Sequence, residues 1–137
     1  MTTVNSSLPA FAYAWVMLGS AIGGGARLYV STQVARSLGT HFPWGTLVVN
    51  LAGSLAVGAL GALFAPPGRI HDLQDLRTFL VVGVLGGFTT FSAFSLETLL
   101  LVQRGETGAA VAYVATSLAG GLAATWLAYS ALGAALR

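Results

Sequence analysis

Gly83-Val84-Leu85-Gly86-Gly87-Phe88-Thr89-Thr90-Phe91-Ser92-Ala93-Phe94-Ser95-Leu96-Glu97 decides how this chain folds. The stretch lies inside an apolar run from about Phe79 to Val102, long enough to cross a bilayer as a helix. Its centre does not suit a plain spanning helix. Gly86-Gly87 lowers helix stability. Thr89 and Thr90 are β-branched and compete for backbone hydrogen bonds. A break there frees carbonyl and N–H groups at membrane depth, where protein, an ion or water has to satisfy them. Beyond the break the helical pattern resumes. Phe91 and Phe94 share a face, and Ser95 and Thr98 extend it. A kinked helix with two packed phenylalanines would give this pattern, and so would a broken helix that builds an ion site. The Gly-Gly-x-Thr-Thr centre favours the broken helix.

The rest of the chain supplies the setting. Of 137 residues, 55% are hydrophobic and 7% charged, against about 25% charged in a soluble domain. This is the composition of an integral membrane protein, and the length suits one membrane domain, 1–137. There are no cysteines, hence no disulfide framework and no thiol chemistry. The net charge of +2 comes from so few groups that no nucleic-acid partner is expected. Met1 to Ala10 carry no basic side chain and no clear cleavage site follows. The first apolar run is therefore expected to be a retained span rather than a signal peptide. Apolar runs place spans at about 11–30, 45–64, 79–102 and 109–132. The expected fold is all-α, with four transmembrane helices and the third broken near its middle. Gly19 and Gly23 form a G-x-x-x-G face on the first span. Pro66-Pro67-Gly68 ends the second, and Arg69, Asp72, Asp75 and Arg77 keep the next loop in water.

Four spans put both termini on one side. Arg69, Arg77 and Arg137 then face one compartment and Arg27, Arg36 and Arg104 the other. Orientation normally follows an excess of Lys and Arg in cytoplasmic loops. Three against three gives no excess. A chain without bias can insert both ways, and two opposed copies could pair about a two-fold axis in the membrane plane.

Polar residues inside the spans are the candidate functional groups. Thr46, Asn50 and Ser54 recur every fourth residue and give the second span a polar face. Asn50 either lines a wet cavity or makes an interhelical hydrogen bond worth about 1 kcal/mol. Tyr113 and Ser117 share a face of the fourth span, whereas Gly120, Ala124 and Ala128 look like a packing seam. Glu97 is the only acid inside a span. It could couple protons, anchor a pore residue or reach headgroup water. With no Lys or His partner in the membrane, the anchor role is favoured. Arg27, after three glycines, either sits in a wide polar mouth that concentrates anions or snorkels to headgroups. His41 and His71 lack neighbours at metal-ligand spacing, and no Gly-rich phosphate loop ends in Lys. No enzyme is expected. The groups left to line a path are hydroxyls, one amide and aromatic rings with positive edges. They suit a small anion. A large cation would call for ring faces or carboxylates.

The segment Gly86 to Ser95 with Glu97 resembles the signature of the Fluc (CrcB) fluoride-channel family. Gly45-Thr46-Leu47 with Asn50 and Gly53, and Gly23-Gly24-Gly25-Ala26-Arg27, are similar to it as well. Size and span layout match over essentially the whole chain. The resemblance implies a fluoride-selective channel giving passive fluoride export, multi-pass in the inner (plasma) membrane. It implies an antiparallel, dual-topology homodimer with two pores and a structural Na⁺ on the two-fold axis. The expected partners are thus fluoride, membrane lipid and a second copy of the chain. By position, the resemblance makes Phe91 and Phe94 pore phenylalanines and Asn50 the pore asparagine. Thr46, Ser95, Tyr113 and Ser117 join the pore, and Arg27 its vestibule. Glu97 and Thr90 are supporting groups, and Gly86 and Thr89 offer carbonyls to Na⁺. One departure is Gly121, a turn after Ser117, where some members are polar. The alternative is a coupled exporter resembling the small multidrug-resistance transporters. Those need a carboxylate in the first span, which here has none. A third reading, a non-transporting assembly subunit, leaves the Thr-Thr break unexplained.

Overall fold

The structure, a computed structural model, describes residues 10–65 and 73–136. Arg69, His71, Asp72, Arg137 and the Pro66-Pro67-Gly68 stop lie outside the described residues. The described chain is all-helical, without strands. Helix α1 spans Ala10–Leu38 and α2 Trp44–Phe64. A third rod follows in pieces: α3 (Gln74–Arg77), a π-helical stretch Thr78–Leu85, α4 (Gly86–Phe88) and α5 (Phe91–Gln103). Helix α6, Thr107–Ala135, closes the bundle. The rods Trp44–Phe64, Gln74–Gln103 and Thr107–Ala135 are long and apolar enough to cross a membrane. Helix α1 has the length, 29 residues, but Arg27, Arg36 and three glycines make it less apolar.

The first helix runs past the expected end near residue 30. Gly23-Gly24-Gly25 does not stop it. Gly23 lies against the backbone of Val84 and Phe88, so the missing side chain lets two rods touch rather than ending one of them. The stop is Gly39. Its φ of 83° is left-handed, and its N–H reaches the Ala35 carbonyl at 2.9 Å, a glycine C-cap. Arg27 is therefore a mid-helix residue. A second glycine stop makes the turn between α5 and α6 tight. Gly105 has φ 77°. Its N–H bonds to Val102 O, and the Glu106 N–H to Leu101 O, both at 2.9 Å. That is the paired pattern of a Schellman motif.

Helix α2 packs along α6, and α1 packs along the π stretch and α4. Trp15 meets Phe79 edge-on at 5.7 Å between ring centroids. Few side chains are buried, and Leu47, Leu101, Ala110 and Tyr113 form one cluster, flanked by Phe42, Leu51 and Phe94, with Val49, Ala62 and Phe64 buried outside it. Large apolar side chains such as Leu28, Tyr29, Phe91, Leu122 and Trp126 stand exposed. A chain surrounded by lipid or by another copy leaves its apolar surface outward in this way.

The break falls at Thr89 and Thr90, as the sequence led us to expect. Both are extended, with ψ of 160° and 120°. Before it, the π stretch widens the helix, and the Gly86 N–H reaches back five residues to Val81 O. That widening has no counterpart in the sequence expectations.

Candidate functional site

The break is built by its own threonines and by one residue of α2. The Thr89 N–H and hydroxyl both reach the Leu85 carbonyl at 2.9 Å and end the first half. Thr90 Oγ1 accepts the Ala93 N–H at 3.2 Å and caps α5. The Thr90 backbone pairs with the Asn50 side chain. Nδ2 donates to Thr90 O at 3.0 Å, and Oδ1 accepts the Thr90 N–H at 2.8 Å. This two-way pairing fixes which end of the amide is nitrogen. It leaves one Asn50 N–H for another acceptor. It also takes the Thr90 N–H that Gly86 O would have received in an unbroken helix. Gly86 O is left without its usual partner, on an exposed glycine. Gly53 makes room for the corner, because its bare Cα lies against the Thr89 methyl.

Two clefts meet at Thr90. One, about 360 Å³, is lined by Asn50, Ser54, Gly86, Thr89, Thr90, Phe91, Phe94 and Ser117 among others, with no charged side chain. The Phe91 and Phe94 rings stand 5.6 Å apart and tilted by 43°. Phe91 is 76% exposed. The other cleft, about 830 Å³, opens at one end of the bundle, and its lining includes Arg27, His41, Thr46, Thr90, Glu97 and Arg104. A third groove, about 560 Å³, continues along α6 past Ser54, Ser117, Gly121, Thr125 and Tyr129.

The sequence candidates thus separate into two groups. Asn50, Gly86, Thr89, Thr90, Phe91, Phe94 and Ser117 surround one space. Arg27, Thr46 and Glu97 surround the other. Tyr113 lies between them, fully buried, with its ring 5.2 Å from Phe94. Its hydroxyl donates to Glu97 Oε2 at 2.7 Å, while Thr46 Oγ1 donates to Oε1 at 2.8 Å. One carboxyl group thereby ties α2, α5 and α6 through two side-chain hydrogen bonds. Ser95 stands apart. It lines neither cleft, and its hydroxyl donates to Phe91 O at 2.9 Å. Thr98 bonds back to Phe94 O in the same way, at 2.7 Å. Ser117 Oγ is buried with no hydrogen-bond partner.

Some lining groups were not among the sequence candidates. Ser54 was visible as the third member of the Thr46–Asn50–Ser54 spacing. The rim of the larger cleft was not foreseen. There Arg104 donates to His41 O at 3.0 Å and pairs with Glu106 at 3.1 Å, and Glu106 also lies 3.4 Å from His41. Nothing in the local sequence joins residues 41 and 104. Among the described residues no cluster of His, Cys, Asp or Glu could hold a metal.

The chain is 49% identical to "Fluoride-specific ion channel FluC" of Paramagnetospirillum magneticum, over 87% of this chain and 93% of that one. The same name is carried by relatives from Chelativorans sp., 50% identical over 85% of this chain and 95% of theirs, and from Methylocella silvestris, 45% identical over 84% and 88%. With its apolar rods, this makes the chain a multi-pass membrane protein. The family model described as "CrcB-like protein, Camphor Resistance (CrcB)" matches residues 14–129, and the chain belongs to that family.

Proposed function

We propose that the chain is a fluoride-selective channel that lets fluoride leave the cell passively through the inner membrane. The observation that carries this is the uncharged cleft at the broken helix. It brings two phenyl rings, the Asn50 amide and Ser117 to one space. Ring edges and neutral donors can replace part of a small anion's water shell without a fixed charge that would trap it. The cationic Arg27 lies in the wider cleft on the other side of Thr90, where it raises the local anion concentration. The relatives' shared name, fluoride-specific ion channel, points the same way.

The working unit is an antiparallel homodimer with dual topology and two pores. Phe91 and Gly86 are exposed on a single chain, and one chain leaves the cleft open on that side. A second copy closes it. The carbonyls of Gly86 and Thr89 fit a monovalent cation. Gly86 O has lost its helical partner, and a two-fold axis through the break would bring a second pair of oxygens. A structural Na⁺ there would satisfy backbone groups that the bilayer cannot.

Fluoride efflux from liposomes holding the purified chain tests the function. Fluoride should leave at least tenfold faster than chloride and independently of an imposed proton gradient. Equal chloride flux, or flux that follows the proton gradient, would overturn the proposal in favour of a coupled exporter.

A further inference from the structure

The cleft at the break and the groove along α6 share Ser54, Ser117 and Leu118. Two of these three residues carry hydroxyls. Ser117 Oγ is buried without a partner, a costly arrangement unless something else takes its hydrogen. Ser54 lines the same two spaces from α2. A Cβ built on Gly121 would stand 3.3 Å from Ser54 Oγ. The serine hydroxyl therefore occupies the space into which a side chain at 121 would grow. Ser54 is fixed there through its backbone, because Thr125 Oγ1 donates to its carbonyl at 2.9 Å. That bond leaves the Ser54 side chain uninvolved.

We infer, resting on the fluoride-channel reading, that Ser54 contacts the permeating anion. Its O–H and that of Ser117 form a two-donor station beyond Asn50. Ser54 supplies from α2 the donor that Gly121 does not supply from α6.

The test is fluoride efflux from liposomes, per folded dimer judged by size-exclusion profile. Ser54→Ala should lower flux tenfold or more, because the Thr125 bond to the backbone survives and only the hydroxyl goes. Adding Gly121→Ser to Ser54→Ala should bring flux back to within threefold of wild type. Adding Gly121→Ala, which fills space without a donor, should not. If Ser54→Ala aggregates, Ser54→Cys carries the same expectation with nearly unchanged shape. Flux within twofold of wild type in a folded Ser54→Ala, with Ser117→Ala still impaired, would overturn the inference. Equal rescue by Gly121→Ala would overturn it too. Absence of fluoride efflux from wild-type liposomes would instead overturn the channel reading beneath it.

Discussion

The Asn50 side chain and the Thr90 backbone form a closed pair, with Nδ2 to O at 3.0 Å and N–H to Oδ1 at 2.8 Å. At the corner of the broken helix the asparagine takes the Thr90 N–H that a continuous helix would have given to Gly86 O, and adds a donor to the carbonyl of the residue that caps α5. Asn50 keeps a second amide N–H and lines the uncharged cleft. One residue thus both holds the break and presents a donor to whatever occupies the space.

Asn50→Asp should fail on both counts. A carboxylate cannot donate to Thr90 O, and its charge repels an anion. We expect fluoride flux to fall below detection. Stability should drop by about 1–3 kcal/mol, the cost of leaving a buried polar group unpaired. Flux and thermal unfolding in detergent, measured on one preparation, check the prediction. Normal flux would show that the amide is a structural clamp alone.

Glu97 is held by two O–H donors on different helices, Thr46 and Tyr113. Tyr113→Phe keeps the ring packing against Phe42 and Phe94 and removes one donor. It should cost about 1.5–3 kcal/mol, the range for hydrogen bonds to charged groups. Thr46→Val should cost a similar amount, and the double variant should depart from additivity because both bonds end on one carboxylate. A double-mutant cycle of unfolding midpoints measures this. Simple additivity would show that the carboxylate does not couple the two.

These contacts mark what the sequence could and could not give. The break was legible because Gly-Gly-x-Thr-Thr is a local conflict inside an apolar run. The shared face of Phe91 and Phe94 was legible from spacing. Helix α1 runs on to Leu38, past the apolar run that ends near residue 30. The G-x-x-x-G spacing of Gly19 and Gly23 gave the packing face, and the structure sets Gly19 against Gly83 and Gly23 against Val84 and Phe88. Gly39, a lone glycine before a polar turn, carried the true signal. The Asn50–Thr90 pair and the Glu97 clamp join residues 40 or more apart, or on different rods, and no periodicity reports such a bond. The separate placing of Ser95 depends on its rotamer, which turns the hydroxyl back to Phe91 O.

The sequence divides its six arginines three against three, and on a single chain the cleft is open beside the exposed Phe91. Adding two or three Lys to the loops at one end should fix the insertion direction. It should abolish fluoride flux when such a version is expressed alone. Co-expressing two oppositely biased versions should restore it. Full transport by a single biased version would mean that the dimer is not antiparallel.

The break should require a monovalent cation. Its oxygens are backbone carbonyls without a neighbouring carboxylate, which is poor chemistry for tight divalent binding. Exchanging Na⁺ for a large organic cation should lower the unfolding temperature and abolish flux, and restoring Na⁺ should recover both. Anomalous scattering from a heavier monovalent substitute should place it beside Gly86 and Thr89. Unchanged stability and flux without Na⁺ would leave water as the partner of those carbonyls.

The last test separates ring chemistry from ring bulk. Phe91 and Phe94 stand 5.6 Å apart on the wall of the uncharged cleft, Phe91 with most of its surface exposed and Phe94 packed on Tyr113. Ile keeps much of the apolar bulk and removes the quadrupole that gives a ring its positive edge. At Phe91 little packing is lost within one chain, so Phe91→Ile should fold, dimerise and lose at least tenfold in fluoride flux. Phe94→Ile also gives up the Tyr113 contact, worth about 0.5–1.5 kcal/mol for an aromatic pair. It should lose both flux and some stability. The contrast between the two positions makes the comparison informative. If the rings served packing alone, Phe94→Ile would be the damaging change and Phe91→Ile would be nearly silent. If their edges meet the anion, both variants lose flux, and the loss at Phe91 comes without a matching loss of stability. Efflux measured beside the size-exclusion profile of each variant decides, and normal flux in a folded Phe91→Ile, Phe94→Ile double variant would sink the ring-edge mechanism.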